Sequence, residues 1–143
     1  MIYKSPPPNF KKELDVAGCY VECGGKFLLL HRHAHKPNGS KWGIPAGKVD
    51  AGETPRKTMV RELREETGIK VTPDELCYFG FVSVSNSIAF YYHMFSITFE
   101  KVPDVLLSPN EHQDFRWATS QEALAMDLVD DEDPCIRLFY DIP

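Results

Sequence analysis

The pattern of hydrophobic and polar residues begins with two apolar segments, each of the length of a β-strand. Residues 15–22 (DVAGCYVE) and 26–32 (KFLLLHR) flank the turn formers Gly24 and Gly25. Gly-Gly between two apolar runs is typical of a β-hairpin. The polar segment 33–41, which contains Pro, Asn and Gly, predicts a loop after the second strand.

The hydrophobic period changes to that of a helix after residue 53. Residues 42–53 hold too many glycines and prolines for a helix, so we expect short strand and loop there. Residues 55–67 are mostly good helix formers. Thr54 can cap their first turn, Pro55 suits the first position, and Gly68 ends the run. The apolar stripe of this helix consists of Met59, Val60, Leu63 and Thr67.

The second half of the chain predicts another hairpin, one more strand and two short helices. Residues 75–85 and 88–99 are rich in aromatic and β-branched residues and predict strands joined around Asn86. The expected elements that follow are a loop at 101–110, a strand at 113–118, a helix at 121–126 capped by Ser120, and a last helix that begins in the acidic run 130–133 and ends around Tyr140. Strands with two or three helices predict an α/β sandwich with a mixed sheet.

Length and composition favour one domain. The chain has 143 residues, enough for a hydrophobic core, and we expect residues 1–143 to form a single domain with 1–13 as an extended N-terminal arm. We expect no membrane span, because no run of 18 apolar residues exists, and no secretory signal is recognisable. The net charge of −5 argues against stable binding of nucleic acid. A small phosphorylated ligand remains compatible with this charge if a cation bridges the two.

The cysteines and histidines offer two alternative metal sites. Cys19 and Cys23 share one face of a strand, but no second Cys or His pair completes a zinc site, so buried free thiols are the favoured interpretation. The alternating His31, His33 and His35 allow a second metal site, although a polar loop explains them as well. Cysteine usage favours a reducing, cytoplasmic location.

The predicted helix places three carboxylates beside its apolar stripe. Glu62, Glu65 and Glu66 lie within five positions, and helical residues three and four apart are neighbours. Such carboxylates repel one another unless they hold a proton or bind a cation, and oxygen clusters suit Mg²⁺ or Mn²⁺. Gly47 and Gly52 precede the helix and allow the backbone to approach a metal or a phosphate. A solvated helical face with ion pairs is the alternative.

Residues 47–69 read GKVDAGETPRKTMVRELREETGI and fit the pattern Gly-x5-Glu-x7-Arg-Glu-(aliphatic)-x-Glu-Glu-x-Gly-(aliphatic). The fixed positions are Gly47, Glu53, Arg61, Glu62, Leu63, Glu65, Glu66, Gly68 and Ile69. This segment resembles the sequence box of the Nudix (MutT-like) hydrolase family at every fixed position. The preceding WGIPAG also resembles the family, with Ala46 in place of one glycine. The resemblance implies a Nudix-type α/β/α sandwich with a mixed sheet.

The resemblance also implies a metal-dependent activity and a ligand set. Nudix enzymes hydrolyse a nucleoside diphosphate linked to another group, so we expect Mg²⁺, or alternatively Mn²⁺, as the cofactor and a small nucleotide as the substrate. The implied metal ligands are the carbonyl of Gly47 and the carboxylates of Glu62, Glu65 and Glu66. Glu62 is at the same time a candidate general base. Glu111 resembles a downstream acidic residue of the family and is the second candidate for base or extra ligand.

The remaining candidate residues either support the carboxylates of the site or contact the substrate. By resemblance, Arg61 orients a neighbouring carboxylate and pairs with Glu53, and Glu53 and Gly68 are structural members of the box. Arg32, at the end of a predicted strand, and Lys48 are candidate substrate contacts.

The sequence leaves the substrate open. The markers of ADP-ribose, dinucleoside polyphosphate and NADH hydrolases are missing around residues 84–86, and the acidic run 130–133 replaces the Asn of oxidised-guanine enzymes. Small size favours a nucleoside triphosphate pyrophosphohydrolase. The alternatives are a dinucleoside polyphosphate or nucleotide-sugar hydrolase, a non-catalytic nucleotide-binding domain and a diphosphate isomerase. The long aromatic strands would also suit a homodimer interface.

Overall fold

A mixed β-sheet with helices on both faces organises the protein, as seen in a computed structural model that describes residues 1–143. The elements in chain order are β1 (Ile2–Tyr3), β2 (Leu14–Cys23), β3 (Lys26–Arg32), β4 (Trp42–Gly43), β5 (Ala46–Lys48), α1 (Pro55–Thr67), a 3-10 turn (Pro73–Glu75), β6 (Cys77–Ser85), β7 (Ala89–Thr98), β8 (His112–Ala118), α2 (Ser120–Leu124) and α3 (Glu132–Phe139). The predicted α/β/α sandwich with a mixed sheet is confirmed.

The sheet centres on β2, which pairs with three neighbours. The strand order is β1-β6-β7-β2-β3-β4, with β5 paired to β2 and β8 paired to β3. The β2–β7 pair is parallel, whereas the other strand pairs are antiparallel. No helix has the length and apolar character needed to cross a membrane.

Alternating side chains of the central strands build two core layers. Leu28 and Leu30 of β3 belong to the layer that contains Met59 and Leu63 of α1. Their neighbour Leu29 belongs to the opposite layer, which contains residues of α2 and α3. This alternation is the period-two pattern of a strand that is buried on both faces.

Local capping signals set the bounds of α1, which agree with the prediction. The hydroxyl of Thr54 accepts a hydrogen bond from the N–H of Lys57 at 3.2 Å, and Pro55 occupies the first turn. Gly68 adopts a left-handed conformation with φ of 73°, and its N–H donates to the carbonyl of Arg64 at 3.0 Å. A residue with a side chain would be strained at Gly68.

Three predictions about local structure are wrong or incomplete. The strand expected from residue 75 begins at Cys77, because Pro73–Glu75 form a 3-10 turn. The helix expected at 121–126 spans Ser120–Leu124 and is capped by Thr119, not by Ser120. Thr119 and Glu122 form a reciprocal capping box, which moves the helix start one residue earlier.

The residues before β2 contribute a short strand to the sheet, and most of the cysteines lie in the core. Within residues 1–13, β1 pairs with the end of β6. Cys19 and Cys23 are buried free thiols, as expected; Cys135 is also buried, and Cys77 is exposed. Cys77 lies at the start of β6, beyond the two residues that β1 covers.

Candidate active site

The pairing of β5 with β2 brings the glycine loop under α1. Ala46 and Gly47 pair with Gly18 and Ala17 of β2. The N–H of Ala46 donates to Oε1 of Glu66 at 3.0 Å, and Glu66 is only 5% exposed. A Cβ atom at Gly47 would overlap the carboxylate of Glu62. The close approach of helix and loop therefore requires glycine at this position.

Burial and mutual repulsion raise the pKa values of two carboxylates on α1. Burial, followed by the charges of Glu62 and Glu111, raises the pKa of Glu66 well above its usual value. Burial also raises the pKa of Glu62, partly offset by the adjacent guanidinium of Arg61. Carboxylates in this state gain most from a bound cation, and their oxygens are the donors that Mg²⁺ and Mn²⁺ prefer. The donor set therefore fits the metal that the sequence implies.

Arg61 connects four carboxylates at the rim of this site. Its nitrogens lie 3.0 Å from Glu53, 2.8 Å from Glu62, 3.2 Å from Glu65 and 3.3 Å from Asp50. The hydrogen bond from Arg61, with a second from Thr58, lowers the pKa of Glu53 to about 2. Glu53 therefore holds Arg61 in one position, and Arg61 in turn holds Glu62.

The structure gathers most of the predicted site residues in one cleft. The cleft is lined by Arg32, Gly47, Lys48, Glu62, Glu66 and Glu111. Glu65 does not line the cleft, and its side chain is half-exposed with Arg61 as its partner. Gly68 lies at the far end of α1 and acts on the helix end.

A second cavity of about 270 Å³ adjoins the cleft on the α3 side of the sheet. The two spaces share Arg32, Ala46 and Glu66. The walls of this second cavity are largely apolar. Its acidic residues besides Glu66 are Asp130, Asp131 and Glu132. The cleft holds the cations Arg32, Lys36 and Lys48 alongside its carboxylates Asp50, Glu62, Glu66 and Glu111.

Glu132 is a buried carboxyl of this cavity that the sequence did not reveal. It is 4% exposed, and its Oε1 accepts a hydrogen bond from the N–H of Ile44 at 2.7 Å. Burial raises its pKa to about 7. In the sequence, residues 130–133 indicate only the start of a helix, and their burial depends on packing that no local signal shows.

His112 is the second residue that the sequence did not reveal. It pairs with Arg32 across β3 and β8, is 5% exposed, and its Nδ1 is buried without a hydrogen-bond partner. Burial, with the charges of Arg32 and Lys36, lowers the pKa of His112 to about 4. The predicted strand begins one residue later, at 113, and the predicted loop ends at 110, so the sequence places His112 in neither element. Its place directly after Glu111 was the available signal.

Comparison with known proteins decides the family. A model of the NUDIX domain matches residues 12–139. The chain belongs to the Nudix family. The prediction of a Nudix hydrolase from the box at residues 47–69 is thereby confirmed.

Curated relatives and solved structures of Nudix proteins agree with this assignment. The chain is 34% identical over 130 residues to the CTP pyrophosphohydrolase of Escherichia coli K12, which covers 90% of this chain and 92% of the relative. It is 31% identical over 116 residues to the phosphatase NudJ of Escherichia coli K12, covering 80% and 73%. The MutT protein of Methanosarcina mazei Go1 has a similar structure, with a TM-score of 0.78 and 27% identity over 92% of this chain and 94% of that one. The solution structure of the E. coli ORF135 protein is similar with a TM-score of 0.75 and 28% identity, covering 95% and 94%.

Proposed function

We propose that this Nudix hydrolase is a metal-dependent nucleoside triphosphate pyrophosphohydrolase. The observation that carries the proposal is the continuity of the carboxylate cleft with the largely apolar cavity, which share Arg32, Ala46 and Glu66. A nucleotide fits this arrangement with its phosphates in the cleft and its base in the cavity. The relative named as a CTP pyrophosphohydrolase supports a triphosphate substrate.

The proposed metal site consists of Glu62, Glu66 and the carbonyl of Gly47, with Mg²⁺ as the first choice and Mn²⁺ as the alternative. Glu65 remains a proposed ligand, although its carboxylate lies on Arg61 at 3.2 Å and outside the cleft lining. When bound, the cation supplies positive charge against the phosphate oxygens and makes a water molecule more acidic. A polyanionic substrate next to clustered carboxylates requires such a charge.

The chain's own residues would position the reacting groups. We assign Glu62 as the general base that takes a proton from the attacking water, with Glu111 as the second candidate. Arg61 orients Glu62 through the contact at 2.8 Å. Arg32 and Lys48 line the cleft and contact the phosphates of the substrate. Together with a bound cation, these positive charges would hold the phosphate chain in the cleft.

The acidic cavity favours a base that carries an amino group. The carboxylate of Asp130 can accept a hydrogen bond from an amino donor, whereas the oxygens of Asp131 already accept from the N-terminal ammonium group and from the side chain of Asn86. Glu132, whose pKa is raised to about 7, also carries a proton near neutral pH and can donate it to a ring nitrogen. Cytosine presents an amino group beside an acceptor nitrogen, whereas uracil reverses both. Adenine presents the same pair of groups as cytosine. We therefore infer a preference for amino-bearing bases, with cytidine as the first choice because the relative is named as a CTP pyrophosphohydrolase.

A substrate panel tests this function. With Mg²⁺, we expect CTP to yield CMP and pyrophosphate, with kcat/KM at least about fivefold above that for UTP, because one mispaired buried polar group costs roughly 1–3 kcal/mol. Chromatography of the nucleotide products together with a pyrophosphate assay measures both. The panel also contains nucleotide sugars, ADP-ribose and dinucleoside polyphosphates. Hydrolysis confined to those compounds would replace the triphosphate proposal, and metal binding without turnover would indicate a binding domain.

The arginine network gives a second test, by substitution of Arg61 with Lys. Lysine keeps the positive charge but has no planar fork to contact several carboxylates at once. Because loss of a residue that orients metal ligands typically costs 10–100-fold, we expect Arg61→Lys to weaken Mg²⁺ binding by about that factor. Calorimetric titration measures it, with Arg64→Lys on the exposed face of α1 as the matched control. Equal affinity in the two variants would reduce Arg61 to a surface ion-pair partner.

The remaining proposals concern the chain as a whole. We propose that residues 1–143 act as one domain on small nucleotides in the cytoplasm, without stable binding of nucleic acid. The exposed aromatic residues of β6, Tyr78, Phe79 and Phe81, are the proposed contact surface of a homodimer. Light scattering of the purified protein tests the dimer.

A further inference from the structure

Three donor groups, from α1, from β8 and from the turn before β8, meet at the junction of the cleft and the cavity. One carboxylate oxygen each of Glu66 and Glu111 and one imidazole nitrogen of His112 lie within 4.8 Å of one another. Ligands about 2.0–2.2 Å from a common ion are at most about 4.4 Å apart. A shift of a few tenths of an ångström would therefore bring all three within ligand distance of one ion.

One ring nitrogen of His112 is buried and makes no hydrogen bond, which lowers the stability of the folded protein. The side chain is 5% exposed, and its Nδ1 is buried without a hydrogen-bond partner. A buried polar atom without a partner costs roughly 1–3 kcal/mol. A ligand that occupies this place removes part of that cost, and the two adjacent carboxylates favour a cation as the ligand.

We propose that His112 supplies a nitrogen ligand to a divalent-cation position that it shares with Glu66 and Glu111. A nitrogen in an otherwise oxygen-rich set disfavours Mg²⁺, which prefers oxygen ligands only, and favours first-row transition metals. The protein therefore binds Mn²⁺ more tightly than Mg²⁺ at this position. The inference deepens the proposed function because it shares Glu66 with the metal site assigned there.

The nitrogen ligand can be detected directly with Mn²⁺ as the probe. Pulsed electron paramagnetic resonance of the wild-type protein with one equivalent of Mn²⁺, without nucleotide, is expected to show modulation from a coordinated ¹⁴N nucleus. We expect His112→Gln to abolish this modulation and to lower the affinity for Mn²⁺ at least about tenfold, with a smaller change for Mg²⁺. An all-oxygen spectrum in the wild-type protein would overturn the proposal.

A matched control separates His112 from His33 and His35 of the polar loop. The double substitution His33→Gln/His35→Gln alters the polar loop and leaves Glu66, Glu111 and His112 in place. It is expected to retain the ¹⁴N modulation, and His31→Gln, which changes the remaining histidine of the alternating set, is expected to retain it as well, so the proposal remains testable even where His112→Gln does not fold. Loss of the signal in this double variant would assign the nitrogen to the loop and reject His112.

The measurement also separates this inference from the proposed function. Because no nucleotide is present, a nitrogen signal supports the ligand assignment even if no triphosphate is hydrolysed. Hydrolysis of CTP by a protein that shows no nitrogen signal would instead retain the function and remove His112 from the metal site.

Discussion

Substitution of Glu66 by Gln is expected to lower Mg²⁺-dependent turnover by about 10²–10⁴-fold while the protein remains folded. Glutamine keeps an oxygen that can accept the hydrogen bond of Ala46, which is 3.0 Å long in the wild-type protein. The substitution removes a negative charge that is buried close to the charges of Glu62 and Glu111. The metal-free variant should therefore be no less stable than the wild-type protein, and the loss of activity would report lost metal binding.

Two further substitutions make the Glu66 result specific. Glu65→Gln, on the half-exposed residue outside the cleft lining, is expected to cause a smaller loss of turnover. Glu100→Gln, on an exposed residue after β7, is expected to cause none. Steady-state rates with the substrate found in the panel and calorimetric titration with Mg²⁺ measure the series. Wild-type turnover in Glu66→Gln would remove this residue from the metal site.

Substitution of Glu132 by Gln is expected to raise the stability of the protein at high pH only. In the folded protein the pKa of Glu132 is raised from 4.5 to about 7 by burial. A raised carboxyl pKa means that the folded state binds the proton more tightly than the unfolded state. The contribution of Glu132 to the free energy of unfolding is therefore fully present below about pH 4.5 and is lost as the pH rises to about 7.

The size of the Glu132 effect follows from the same shift. At 1.36 kcal/mol per pKa unit, the raised value corresponds to about 3 kcal/mol of lost stability above pH 7. A glutamine at this position would be neutral at every pH and would still offer an oxygen to the N–H of Ile44. We therefore expect Glu132→Gln to exceed the wild-type free energy of unfolding by about 3 kcal/mol near pH 8.5 and to equal it near pH 4.

Denaturant unfolding across this pH range, in the presence of a chelator, measures the Glu132 effect. Glu100→Gln serves as the control for the general effect of removing an acidic charge. Glu132→Leu lacks the acceptor for Ile44 and should be destabilised even at low pH, by roughly 1–3 kcal/mol. A constant difference between Glu132→Gln and the wild-type protein at all pH values would contradict the buried-carboxyl interpretation.

Local signals explain why α1 and the glycine loop were predictable from the sequence. Thr54, Pro55 and Gly68 act through contacts within a few residues, so the bounds of α1 follow from the chain itself. The same holds for Glu62 and Glu66, which are one helical turn apart and face the cleft together. Glu65 lies on the side of the helix that carries Arg61, four residues earlier. The helical period alone therefore places Glu65 on a different side from Glu62 and Glu66.

Long-range packing explains what the sequence did not show. His112 becomes buried because β8 pairs with β3 and brings it beside Arg32. Glu132 becomes a cavity residue because α3 packs its first turn against the strand-to-loop segment that contains Ile44. Neither position differs in local pattern from an exposed polar residue, so its role depends on contacts between distant segments.

The narrow junction between cleft and cavity has an evolutionary consequence. Only Arg32, Ala46 and Glu66 are common to both spaces. Most of the walls that surround a base can therefore change without any change in the groups that hold the phosphates. A lineage with this architecture can acquire new substrates by altering one compartment while the other preserves its chemistry.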